Sequence, residues 1–148
     1  MKLKKGISIL VLIAISLVWS GITKAQTVKE RIISNIEAQR VAFFTERMKL
    51  TPAQAQKFWP IYNEYNFKRT KLTAEEARLV NYFKENSATM SENDIDATIK
   101  KIIQTRKAIT LLFENYNQRF RQILPADKVM KLILAEVEFR SVLLQKIK

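Results

Sequence analysis

The sequence predicts an all-α fold, four helices in a single domain. Three observations predict it. Apolar residues recur at three- and four-residue steps over long stretches, and no segment alternates with period two. Both glycines, Gly6 and Gly21, lie within the first 25 residues, so the rest of the chain lacks the residue that turns with positive φ use most. No internal stretch is rich in Pro, Gly or Ser, so residues 26–148 read as a single domain.

The first 25 residues have a composition of their own. Lys2, Lys4 and Lys5 form a positive start, Ile7 to Val18 is nearly all apolar, and Thr23-Lys24-Ala25 sets small residues at −3 and −1 of a cut before Gln26. This is the layout of a secretory signal peptide cleaved after Ala25. The alternative is an uncleaved anchor, but the apolar run from Ile7 to Ile22 is short against the ~20 residues that span a bilayer comfortably. Removing the four leader lysines takes the formal net charge from +12 to +8.

The first helical segment runs from about Val28 to Met48. Val28, Ile32, Ile36 and Phe43 make its apolar stripe, widened by Ile33 and Phe44. Thr51-Pro52 with Gln54 then forms a helix start. The Thr hydroxyl caps the Gln54 N–H, the Gln side chain returns to the Thr51 N–H, and Pro52 suits the first helical position. The second helix extends to about Asn86. Pro60 inside it predicts a kink or short break near Lys57 to Pro60, because proline removes a hydrogen bond and crowds the preceding turn.

Asn86 to Met90 reads as a turn. Ser91 caps a third helix whose first turn carries Glu92, Asp94 and Asp96, where the helix dipole favours negative charge. Its seam is Ile95, Ile99, Ile102, Ile109, Phe113, Tyr116, Phe120 and Ile123, a 3.5-residue spacing that calls for a partner helix. Arg106 takes one slot of that seam, either as a side chain reaching solvent or as a polar register point. Leu124-Pro125 ends the helix, and Pro125 begins a fourth that runs to near Lys148. Val129, Leu132, Ile133, Phe139, Leu143 and Ile147 supply its apolar side.

The inventory excludes much chemistry. The chain contains no His and no Cys. It therefore has no disulfide framework, no Cys-ligated metal, and neither the usual catalytic base nor the commonest metal ligand. Glu75-Glu76 and Glu136/Glu138 are spaced so that their carboxylates do not converge on one helix face. No glycine loop is present to cradle a phosphate. The reading is a non-enzyme with no catalytic residues, cofactor or metal site. The basic stretches Lys68, Arg69, Lys71, Arg78 and Lys100, Lys101, Arg106, Lys107 read as solvated helix faces, and export argues against nucleic acid. Positive charge outside the cytoplasm points to acidic protein segments or, peripherally, to anionic membrane surfaces. Phe58, Tyr62 and Tyr65 read as core, with Trp59 at its edge.

Leu50-Thr51-Pro52-Ala53-Gln54 matches the Leu-Thr-x-x-Gln motif of periplasmic proteins of the Spy/CpxP type, which the sequence resembles. Leu124-Pro125-Ala126-Asp127-Lys128 stands where that family carries a second copy; Leu124 matches, while Pro125 and Lys128 replace Thr and Gln. Met48 to Pro52, the run Lys57 to Tyr65, and Ala135 to Arg140 are similar to the Bacteroidetes-type branch described as sensors of extracytoplasmic-function sigma factors or grouped with periplasmic heavy-metal sensors. The resemblance implies a four-helix hairpin-like domain with two long antiparallel helices, in a cradle-shaped homodimer that acts without ATP, holding unfolded client proteins or damping envelope-stress signalling. It implies that the motif residues Leu50, Thr51, Pro52, Gln54, Leu124 and Pro125 shape helix starts. Arg40, Phe44, Lys57 and Trp59 are the candidate client-binding residues. The alternative reading is a dedicated sensor that contacts an anti-sigma factor or membrane kinase. The absence of His speaks against metal sensing.

Overall fold

The computed structural model describes residues 30–145. The leader, the cut after Ala25, Val28 and Ile147 lie outside the described residues. Those residues form four helices and no strand: α1 over residues 30–48, α2 Pro52–Asn86, α3 Glu92–Arg121 and α4 Ala126–Gln145. The chain divides into two compact units, Met1–Phe43 and Phe44–Lys148. The described part of the first is helix, with Gln39 Nε2 donating to Asn35 Oδ1 one turn away at 2.9 Å. Of its expected stripe, Ile32 and Ile33 are exposed and Ile36 and Phe43 half-buried. The buried positions of α1, Phe44 and Met48, fall in its last turn, inside the second unit.

In that second unit, α2 and α3 are antiparallel. Glu64 pairs with Arg119, Lys68 with Tyr116 and Glu76 with Arg106, so numbers rise on one helix as they fall on the other. α4 runs parallel to α2 in a fixed register. Gln54 meets Lys128 and Tyr62 meets Glu136, each pair 74 residues apart. Gln145, the last described residue of α4, therefore comes level with Lys71. The core sits at the covered end: Phe44, Phe58, Tyr62, Tyr65, Tyr116, Phe120 and Phe139 are all buried. Many of their rings meet edge-on or tilted, as Phe44–Phe139 at 5.8 Å and 86° and Tyr65–Phe120 at 5.8 Å and 90°, while Phe58 stacks on Tyr62 at 5.4 Å and 28°, geometries that favour aromatic pairs.

Of the kink or short break expected near Pro60, the break does not occur: α2 continues through Pro60, which does not end the helix. Pro60 is exposed. One expectation needs correction. The α3 seam is not buried along its length: Ile99 is 48% exposed, and Thr98, 8% exposed, is the buried residue of that turn. The third helix that would cover Ile99 does not reach it. Thr98 satisfies its hydroxyl locally by donating to the Asp94 carbonyl at 2.8 Å.

Candidate interaction surface

The two motif regions meet at the closed end of the bundle. Lys49 is the one non-glycine residue among those described with positive φ, at 50°. It ends α1 in a Schellman turn, in which Lys49 N–H donates to the Glu46 carbonyl and Leu50 N–H to the Thr45 carbonyl, both at 3.1 Å. Thr51 then caps α2 reciprocally: its N–H donates to Gln54 Oε1 at 3.2 Å, and Gln54 N–H donates to Thr51 Oγ1 at 3.3 Å. Leu124 is buried below this elbow, and Leu50 is half-buried. The Leu124–Lys128 segment supplies a clasp: Lys128 Nζ donates to the Lys49 carbonyl and to Gln54 Oε1, each at 2.6 Å. Nothing in the sequence around Lys128 signals this contact, because a partner 74 residues away leaves no local pattern.

The four residues singled out for client binding differ in exposure. Phe44 is 1% exposed and packs edge-on to Tyr62, so it belongs to the core and is not offered to a client. Trp59 is half-buried at the core's edge, with ring centroids 5.2 Å from Phe58 and 5.6 Å from Tyr62. Lys57 is exposed on the first turns of α2. Arg40 is half-buried and lies in the other unit.

Charged groups at the covered end are tied to the scaffold. Glu136 accepts from the Tyr62 hydroxyl at 3.0 Å and from Arg69 Nη1 at 2.8 Å, and this ion pair is only 13–23% exposed. Arg69 also stacks over the Tyr65 ring at 5.2 Å. Burial, with the Glu136 carboxylate adding to it, pushes the Tyr65 hydroxyl above its ordinary range. Glu64 accepts from Lys68 and Arg119, and these donors with the Tyr116 hydroxyl hold its carboxyl down at about 2. Arg78 pairs with Glu75 and Arg106 with Glu76. Arg106 is therefore both solvent-exposed and a tie between α2 and α3. Half of the basic residues singled out as a possible nucleic-acid face are neutralised within the chain.

One open surface lies on α3. Ile103, Arg106, Lys107, Thr110 and Leu111 line an open depression of about 450 Å³. Ile103 and Leu111 are 47% and 57% exposed. Between Asp96 and Glu114 this helix has no carboxylate and four cations, Lys100, Lys101, Arg106 and Lys107. The sequence signal was available: Ile103 and Leu111 are apolar residues off the seam of their own helix. Among the described residues no group of three or more His, Cys, Asp or Glu side chains could hold a metal, and no helix is long and apolar enough to cross a membrane. Comparison with family models, with curated proteins and with solved structures finds no match.

Proposed function

We propose that the protein is an exported, ATP-independent chaperone-like or envelope-stress-sensing adaptor that takes exposed segments of other proteins. The observation that carries this reading is the outward face of α3, where Ile103 and Leu111 lie open to solvent beside Arg106 and Lys107. Such a surface binds weakly at several points: cations speed the encounter with acidic segments, and the apolar side chains hold what arrives. The leader supports a periplasmic site of action, and the Leu-Thr-x-x-Gln resemblance points to the same class of protein.

The test uses protein exported from the full-length gene, mixed with two unrelated denatured proteins without ATP. Suppressed light scattering for both is the expected result, weaker at high salt. It should be lost in the double variant Ile103→Ser/Leu111→Ser with helix content unchanged. Failure with both proteins sinks the general-chaperone reading. One observation favours the alternative of a dedicated regulatory sensor: the depression is confined to a single helix, a footprint suited to one partner segment. In that case one envelope protein, an anti-sigma factor or a membrane kinase, should crosslink to the chain in cells and be lost in the same variant.

A further inference from the structure

The side of the α2–α3 hairpin that α4 packs against continues past the last described residue of α4. On α2 that side is marked by Tyr62 and Arg69, which both hold Glu136 of α4. Helical steps of three and four carry the row on from Arg69 to Thr73, Glu76, Val80 and Lys84. On α3 the same side is marked by Arg106, whose guanidinium meets Glu76 at 2.7 Å. Its row is Ile99, Ile103, Arg106 and Thr110. The α2–α3 pairs set Thr73 level with Thr110 and Lys84 level with Ile99. The two rows are thus the banks of one groove, about 17 Å long at 1.5 Å per residue. Val80, Ile99 and Ile103 lie open in it. The depression lined by Ile103, Arg106, Lys107 and Thr110 is its α3 bank.

We propose that this groove docks an acidic amphipathic helix of another protein, about three turns long, in the place along the hairpin that α4 takes at the covered end. The inference rests on the reading of the α3 surface as the site that takes segments of other proteins, and it adds the form of the segment. The covered end shows what the hairpin accepts. There α4 buries Leu132, Ala135 and Phe139, and turns the Glu136 carboxylate to Arg69. The open end offers the same terms. Apolar side chains stand on both banks, with Arg106 and Lys107 on one and Lys84 on the other. Glu76 is the carboxylate of these rows, and Arg106 already answers it. Lys84 and Lys107 make no ion pair among the described residues. Carboxylates on an incoming helix would meet these cations, which speeds encounter and fixes register. An extended segment would lay unpaired backbone N–H and C=O groups against Val80, Ile99 and Ile103, whereas a helix arrives with its own already bonded. Laying an apolar face into a groove, with anchors three and four residues apart, is an established way of taking a helix.

Titration of the exported protein with an isotope-labelled synthetic peptide tests it. The peptide is roughly four turns long, with Leu at steps of three and four on one face and Glu beside them. A peptide of the same composition in scrambled order, and one with Lys for every Glu, are the comparisons. The acidic amphipathic peptide should bind about tenfold more tightly than either at low salt, and its Cα NMR shifts should become helical on binding. Val80→Ser and Ile99→Ser, at exposed positions on opposite banks, should each weaken binding several-fold with the helix content of the protein unchanged. Lys107→Glu should weaken the Glu peptide and strengthen the Lys peptide. No binding overturns the proposal, as does equal affinity for the scrambled peptide, a bound peptide that stays extended, or indifference to both Val80→Ser and Ile99→Ser. Suppressed aggregation of denatured proteins without helical binding sinks this inference and leaves the chaperone reading in place. Helical binding at the groove without suppression sustains it and sinks the general-chaperone reading alone.

Discussion

The covered end of the α2–α3 hairpin and its outer arm are made from the same two helices, yet they are held by different forces. At the covered end, α4 and the last turn of α1 lie against the pair, and seven aromatic side chains are buried. Beyond the level of Lys71, only Leu79 and Thr98 are buried among the described residues. Two helices alone can each cover one stripe of the other. Leu72, Ile95, Ile102 and Ile109 are half-buried there, and Val80, Phe83, Ile99 and Ile103 are exposed. Folding energy is thus concentrated where the helices are covered, and accessible apolar surface where they are not.

The largest expected effect sharpens this contrast. Phe120 is fully buried against Phe58, at 5.5 Å between ring centroids, and against Tyr65. Phe120→Ala should cost about 3–5 kcal/mol in urea unfolding, from lost transfer energy and the cavity left behind. Phe83 on the arm is 42% exposed, and Phe83→Ala should stay within about 0.5 kcal/mol. Equal costs would break the comparison and show the arm packed in solution.

Ion pairs give the next test. Glu136→Ala leaves Arg69 in a largely covered site without its carboxylate and should cost about 3 kcal/mol, as breaking a buried pair does. On the arm, Arg106 is 66% exposed, and Glu76→Ala should cost under about 1 kcal/mol. A double-mutant cycle on each pair separates the interaction from the truncation.

The difference between the two ends also explains what could be read from sequence. Helix limits were legible because they are local: Thr51 with Gln54, Ser91 with Asp94, and the residue before Pro125 announce themselves within four positions. The aromatic core was legible from the spacing of Phe58, Tyr62 and Tyr65. Burial along the arm was not. The 3.5-residue seam of α3 continues past the point where α4 ends, and a repeat does not state the length of its partner. Phe44 was misplaced for the same reason: an aromatic at the end of an amphipathic helix reads alike whether it faces a core or a client. The Lys128 clasp depends on the α2–α4 register, which only the folded chain defines.

Caps sharpen the contrast at the two ends of α2–α3. Thr51→Ala at the covered elbow and Ser91→Ala at the arm's tip should each cost about 1 kcal/mol by equilibrium unfolding. Local opening should differ. Amide exchange should rise across the hairpin tip for Ser91→Ala, and stay slow around Phe58 for Thr51→Ala, because the core and the Lys128 clasp still hold that elbow. Lys49→Gly should stabilise by up to about 1 kcal/mol, since glycine takes the left-handed turn without the Cβ penalty and the clasped carbonyl is retained.

The smallest effect is the response to acid. Lys68, with Tyr116 and Arg119, holds Glu64 at about 2, well below its ordinary 4.5. Arg78 lowers Glu75 on the arm, and Ser91 lowers Asp94. In each case the folded-state value lies below the unfolded one, so the contribution is fully present above the unfolded value and is lost as pH falls through the folded one. For Glu64 that window runs from about pH 4.5 down to about 2. All three groups lie open to solvent, so salt screens them and the change in stability is slight. Carboxyl NMR titration reads it directly. Glu64 should titrate near 2, and Lys68→Met or Arg119→Met should move it upward. A Glu64 midpoint near 4.5 in the unaltered protein would mean that the Glu64–Arg119 tie between α2 and α3 does not persist in solution, leaving the Glu76–Arg106 pair as the ion pair that joins the two helices among those described.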